Sequence, residues 1–311
     1  MGLQVIQVGA FGAEDVAVAL DGADEGCVYT GTEDGAIHRV SHDGGTVEKV
    51  ADTGGRPLGI EWTPSGRLVV CDARRGLLGV DPWTGGVEEL AATVDGTPMQ
   101  FCNNAAVAGD GTVYFSDSST VHPIDRWKAE MVEVTGTGRL LRRSPDGAVT
   151  VVGDGLDFAN GVALAADDAW VVVAETSRRR LTRFWLTGPK AGQREAFADD
   201  LPGYPDNISR GSDGLVWVAA ASPRDGLVEA IQRGPVWLRR SITKVPDALQ
   251  PAPKRTVRVL AYDADGRLVH DLSVEKEAHG DTFHMVTGVR EHDGRVWLGS
   301  LHEPAVALLT R

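Results

Sequence analysis

One short pattern occurs six times along the chain and constrains its fold more than any other feature. Each copy is a Gly or Asp followed by an alternating apolar strand: GCVYTG from Gly26, GRLVVCD from Gly66, GTVYFSD from Gly111, DAWVVVAE from Asp168, GLVWVAA from Gly214 and GRVWLGS from Gly294. Recurrence of one strand-period unit is the signature of a repeat architecture. Each copy follows another short strand and in most cases precedes two more, which is the content of one four-stranded propeller blade. Blade two shows this compactly, with expected strands Leu58–Trp62, Leu68–Asp72, Gly76–Asp81 and Val87–Leu90, and turns at Pro64-Ser65-Gly66 and Trp83-Thr84-Gly85-Gly86. The 38 glycines, many of them in Asp-Gly and Gly-Gly pairs, supply such turns throughout. The expected fold is therefore all-β, a six-bladed β-propeller of four-stranded blades forming a single domain over residues 1–311.

The last blade is one strand short, because the chain ends at Arg311 soon after Ala305–Leu309. Leu3–Val8 is the candidate to complete it, closing the ring so that no sheet edge is left unpaired. Two stretches break the spacing and read as lid-like insertions, at about 118–138 in blade three and 222–256 in blade five. The second contains VEAIQRGPVWLRRSITKV, whose apolar residues fit a short helix. Trp127, Met131, Trp237 and Leu238 make both insertions apolar enough to cover one face and shape substrate access.

Asp and Glu number 44 against 31 Lys and Arg, a net charge of −13 spread along the chain, which argues against nucleic acid and anionic membrane as partners. The three cysteines, Cys27, Cys71 and Cys102, have no metal-type spacing and cannot all pair, which fits a reducing cytoplasm. The opening MGLQVIQVGAFGAEDV lacks a basic segment followed by a long apolar run, so neither export nor a membrane span is expected. Oligomeric state is not written in the sequence.

In a propeller the first strand of every blade lines the central channel, so residues opening those strands converge on the axis. Blade one opens with Glu14, blade three with Asn103-Asn104, blade four with Asn160-Gly161 and blade five with Asp206-Asn207, whereas blade two offers Pro57-Leu58-Gly59 and blade six Thr287-Gly288. Four blades thus aim a carboxylate or carboxamide oxygen at one region, with no His or Cys among them. Oxygen-only ligation selects a hard cation, and calcium, which accepts six to eight oxygens in flexible geometry, is the first choice among divalent ions.

Several segments together carry a family resemblance: GAEDVAV at Gly12, GRPLGIEWTPSGRLVVCD at Gly55, FCNNAAVAGDGTVYFSDSS at Phe101, FANGVALAADD at Phe158, LPGYPDNISRGSDGLVWVA at Leu201 and REHDGRVWLGSL at Arg290. Over nearly its whole length the chain resembles the SMP-30/gluconolactonase-like, paraoxonase-like and strictosidine-synthase-like propellers. The resemblance implies one calcium held by Glu14, Asn103, Asn160 and Asp206, with Asn207 as a further ligand in the paraoxonase-like pattern. Asn104 stands where many relatives carry Asp, which argues against a second, structural ion.

The implied chemistry is hydrolysis of a lactone or related ester, with the ion polarising the carbonyl and a general base activating water. Asp206 borders the ion and is one candidate base; His122, in the blade-three insertion, and His284, before the last inner strand, are the alternatives expected at the channel mouth. His38, His42 and His292 read as ordinary turn or strand-surface residues, and Cys102 as a buried small one. Ser116, Ser119 and Ser300 lie in no GxSxG elbow, so a covalent serine mechanism is not expected. In VTGVREHDG, Thr287 aligns with the catalytic Glu of the plant condensing enzyme, and a hydroxyl cannot do that carboxylate's acid–base work. The rival expectation is a strictosidine-synthase-like protein without Pictet-Spengler activity, serving as a small-molecule binding or non-hydrolytic biosynthetic protein.

Overall fold

A computed structural model describes residues 1–20, 22–245, 254–274 and 283–310. Six antiparallel four-stranded sheets are arranged as blades, five of them built in chain order from the channel outward and the sixth finished by the first strand of the chain. Blade two runs Pro57–Trp62, Leu68–Asp72, Gly76–Val80 and Val87–Ala91. The six sequence repeats are the second strands, among them Val28–Gly31, Leu68–Asp72 and Val113–Asp117, all fully buried. Their position explains why they were the readable signal. A second strand packs against neighbouring blades on both faces, so its apolar run is continuous, whereas outer strands such as Val47–Asp52 keep a solvent face and a weaker pattern.

The core is divided accordingly. Apolar clusters fill the seams between blades, for example Ala17, Tyr29, Ile37, Ile60, Leu68, Val70 and Leu78 between blades one and two. A further cluster of Leu58, Ala73, Phe101 and Phe158 caps one end of the channel, with Ile124, Trp127 and Met131 packed on it.

Gly2–Gln7 pairs antiparallel with Ala305–Thr310 and completes blade six as its outer strand. Ile6 and Val8 bury themselves against Val306 and Leu308 in the seam to blade one. Deleting residues 1–9 removes this strand and two aliphatic side chains, each worth roughly 1.5–3 kcal/mol. A fall in melting temperature of roughly 10 °C is expected by calorimetry; an unchanged melt would show that the ring closes without the strand.

The first insertion forms helix α1 (Trp127–Glu133), and the second forms α2 (Gly226–Gln232) and α3 (Val236–Ile242). Residues 246–253 of the second insertion lie outside the described residues. The two insertions pack on each other through hydrogen bonds: Gln232 Nε2 donates to the Met131 carbonyl at 2.7 Å and Thr243 Oγ1 to Glu133 Oε1 at 2.7 Å. Among the described residues no helix is long and apolar enough to cross a membrane.

Candidate functional site

The inner strands carry an irregularity at one equivalent point. Pairing with the second strand shifts register between Pro57 and Ile60, Cys102 and Ala105, Ala159 and Val162, Pro205 and Ile208, and Val286 and Gly288. A bulge frees consecutive residues from the ladder and re-aims their side chains. The freed positions include Leu58-Gly59, Asn103-Asn104, Asn160-Gly161 and Asp206-Asn207. Glu14-Asp15 occupy the corresponding place ahead of the short first strand of blade one, Ala17–Val18.

The second residue of each pair alternates around the axis between large and absent side chains. A Cβ on Gly59 would stand 2.5 Å from Asn104 Cα, one on Gly161 2.2 Å from the Ile208 nitrogen, and one on Gly288 2.7 Å from Asp15 Cα. Glycine in blades two, four and six thus admits the polar residue of blades three, five and one. These polar residues tie the blades together. Asn104 donates to Asp15 Oδ2 at 3.0 Å and accepts from the Val162 amide at 2.8 Å, while Asp15 Oδ2 also accepts from the Ile60 amide at 3.2 Å. Ser116 Oγ donates to the Asn160 carbonyl at 2.6 Å and Thr287 Oγ1 to the Glu14 carbonyl at 2.8 Å, so both hydroxyls serve as tethers.

The first residues of the pairs face a cavity of about 490 Å³, whose floor includes Glu14, Asn103, Asn160 and Asp206. Glu14, Asn103, Asn160 and Asn207 are buried. Asn103 Oδ1, Asn160 Oδ1 and Asn207 Oδ1 have no hydrogen-bond partner. The amide orientations are set by their other ends: Asn207 Nδ2 donates to Glu14 Oε2 at 3.1 Å and Asn160 Nδ2 to Thr176 Oγ1 at 3.2 Å. A buried unsatisfied carbonyl costs about 1–3 kcal/mol, so three beside two carboxylates form a donor set that fits a hard cation. Among the described residues no three of His, Cys, Asp and Glu gather as metal ligands; only two ring members are carboxylates, and amide oxygens make up the rest.

Burial raises the Glu14 carboxyl well above the usual range, and the nearby charges of Asp206 and Asp15 push it further. Asp206 retains some accessible surface, yet protein encloses it closely enough that burial brings its carboxyl to about 7, against a lowering hydrogen bond from Asn160. Asp15 is brought to about 6 by burial, opposed by the Arg290 guanidinium. Arg290 itself lies 2.8 Å from Glu61 Oε2. With both ends of Asn104 engaged and Arg290 supplying positive charge to Asp15, this deeper cluster is satisfied by the protein alone.

The cavity walls are apolar. Leu58, Phe101, Phe158, Tyr204 and Met285 come from the blades, while Trp127, Met131, Leu227 and Ile242 come from the insertions. Trp237, expected over the channel, instead points to solvent at 69% exposure. The two alternative bases are also displaced from the expected mouth, for neither lines the cavity. His122 Nε2 lies 3.2 Å from Glu133 Oε2, a pair within the first insertion. His284 Nδ1 contacts Glu303 Oε1, and its ring meets His302 edge-on at 5.7 Å. Of the three candidate bases, Asp206 alone faces the cavity.

Comparison with known proteins places this geometry in context. The chain is 35% identical over 312 residues to adipocyte plasma membrane-associated protein of Salmo salar, covering 91% of this chain and 72% of that one. It is 33% identical over 321 residues to strictosidine synthase-like protein 10 of Arabidopsis thaliana, covering 95% and 84%. Among solved structures, a gluconolactonase from Xanthomonas campestris superposes with a TM-score of 0.70 at 19% identity, covering 98% of this chain and 88% of that one. The calcium-binding protein regucalcin from Agrobacterium tumefaciens superposes at 0.69 with 16% identity, covering 99% and 93%, and likenesses this remote speak to the fold alone. Residues 19–236 match the family model of the SMP-30/gluconolactonase/LRE-like region, and the chain belongs to that family.

Proposed function

We propose that the protein is a calcium-dependent hydrolase of a lactone or related carboxylic ester, with Glu14, Asn103, Asn160 and Asp206 as ligands and Asn207 as a further one. The observation that carries this reading is a pair of orphaned carboxamide oxygens, of Asn103 and Asn160, beside the Glu14 and Asp206 carboxylates on the floor of the cavity, with the orphaned oxygen of Asn207 buried next to Glu14. The likeness in fold to a gluconolactonase and to the calcium-binding protein regucalcin supports it. When bound, the ion supplies Lewis-acid polarisation of the ester carbonyl and stabilises the oxyanion. Asp206 accepts the proton of the attacking water and returns it to the leaving alkoxide. The apolar wall of Leu58, Phe101, Trp127 and Phe158 holds a substrate less polar than a sugar-acid lactone and keeps bulk water out. All three cysteines are free, which supports a reducing compartment, the cytoplasm.

The test is hydrolysis of a panel of alkyl lactones and aryl esters with calcium, with a chelator, and after calcium is restored. Activity that disappears and returns supports the reading; chelator-insensitive turnover removes the metal from it. The likeness to the strictosidine synthase-like protein favours a second reading, a non-hydrolytic binding or biosynthetic protein. Thr287, buried and bonded to the Glu14 carbonyl, offers no carboxylate for condensation in either case. Bound calcium without turnover on any panel member would favour that second reading.

Protons and calcium should compete for the ring. In the metal-free protein Asp206 titrates at about 7, above the roughly 3.9 of an unfolded chain. The folded state then binds more protons between those values, so metal-free stability falls as pH rises through this window. The same protons oppose calcium, and so does that of Glu14, whose carboxyl is raised too, so calcium affinity should rise as pH rises through about 7. Calorimetric titrations from acid to neutral pH check this, and a flat affinity would separate Asp206 from the ion.

A further inference from the structure

The helix α3 presents two different faces. Inward, Ile242 lines the cavity, and Arg239 and Thr243 hydrogen-bond Glu133 of the first insertion. Outward, Trp237, Arg240 and Ser241 share one face of the helix, Lys244 follows in the turn beyond its end, and all four are exposed. Trp237 is 69% exposed, with Leu227 at 60% and Val236 at 48% flanking it. Arg240 reaches Glu133 only at 3.7 Å, and Arg233 pairs with Glu229 at 3.3 Å from a largely exposed position. Between residues 222 and 256 the sequence holds seven Lys and Arg against three Asp and Glu, in a chain whose net charge is −13. Asp200, Glu133 and Glu303 reach Arg224, Arg240 and Arg255 from outside the segment, so this face is less acidic than the chain as a whole, with Arg240 and Lys244 its outward cations.

We propose that the outer stripe of α3, with the adjoining apolar end of α2, is a docking surface for an anionic phospholipid bilayer. Tryptophan is favoured at the bilayer interface because its ring is apolar on one side and polar at the N–H. Lysine and arginine beside it are attracted to acidic headgroups, each strengthening partition by about fivefold. Charge complementarity selects this occupant: a few apolar side chains interleaved with cations match a headgroup layer. Leu227 and Val245 belong both to this exposed region and to the cavity wall. Docking there would set the cavity entrance against the lipid, so that a membrane-partitioned apolar ester enters without crossing water. That route rests on the hydrolase reading, whereas the docking does not.

The test is co-sedimentation of the full chain, in chelator, with vesicles of phosphatidylcholine and with an equimolar mixture of phosphatidylcholine and phosphatidylserine. The native chain should pellet with the mixed vesicles, remain free with phosphatidylcholine alone, and be released by high salt. R240E/K244E should weaken binding at least about twenty-fivefold by removing two attractions, and W237S should weaken it even on the mixed vesicles at low salt. Both variants alter exposed side chains outside the cavity, so unchanged melting and unchanged turnover of a water-soluble ester serve as controls. Equal pelleting on both vesicle types, no pelleting, or native-like binding by both variants would overturn the proposal. So would a dimer of the native chain that W237S dissociates, which would assign the face to a second copy. Vesicle binding is read without substrate, so absence of any hydrolase activity would leave this result standing.

Discussion

Asp206→Ala and Glu14→Gln should each lower kcat/KM for the ester or lactone substrate by about a thousandfold or more, the loss expected when several kcal/mol of charge stabilisation disappear. Asp206→Asn separates the two roles given to this side chain. It keeps an oxygen toward the ring but cannot accept a proton, so kcat should fall as far as in the alanine variant while part of the calcium-induced stabilisation survives. The metal-free proteins should behave in the opposite sense. The Asp206 charge raises the proton affinity of Glu14, and the Asp15 charge that of Asp206, so removing one carboxylate from the cluster relieves repulsion. The metal-free melting temperature at neutral pH should therefore hold or rise in the variants that lose activity. Parallel loss of folding and activity would instead make the ring a structural device.

Gly161→Ala should disable the centre without touching a ligand. The new methyl would stand 2.2 Å from the Ile208 nitrogen and 2.6 Å from the Asn207 Cα and carbonyl carbon. All three are backbone atoms, which cannot swing aside as a side-chain tip would. Blade five must then retreat from blade four, carrying Asp206 and Asn207 with it. Overpacking of this kind costs about 3 kcal/mol or more, and calcium affinity should drop by at least about tenfold through the displaced ligands. Denaturant melts and calcium titrations read the two effects separately. A variant that is stable and binds calcium normally would show that the two inner strands are free to part.

Much of this arrangement is visible in the residues themselves. The second strands stand out because blades bury them on both faces, and the missing outer strand of blade six follows from the chain ending after Ala305–Thr310. The ring shows because Asn103-Asn104 and Asp206-Asn207 put two polar residues side by side in strands that otherwise alternate. That break in alternation is also the trace of the bulges, which along the chain look like no more than strand openings. The pairing of Gly59, Gly161 and Gly288 with polar neighbours is invisible along the chain, since each contact joins different blades. Arg290 is hidden for the same reason, meeting Asp15 and Glu61 only across the channel.

The insertions are less legible. His122 sits in the expected segment, yet Glu133, eleven residues on, holds it away from the cavity. Helices of seven residues span about two turns, too few for their apolar spacing to reveal which face turns inward. Trp237 therefore reads as a cavity residue by composition and lies on the outer face of α3 by geometry.

Calorimetric titration of calcium into the chelator-treated chain asks whether the orphaned amide oxygens hold an ion. The account predicts one calcium per native chain. Asn103→Leu and Asn160→Leu should each abolish this binding, and Asn103→Leu should keep or raise metal-free stability, because it removes a buried carbonyl that otherwise goes unsatisfied. No heat of binding in the native chain, or undiminished binding in both variants, would contradict the account.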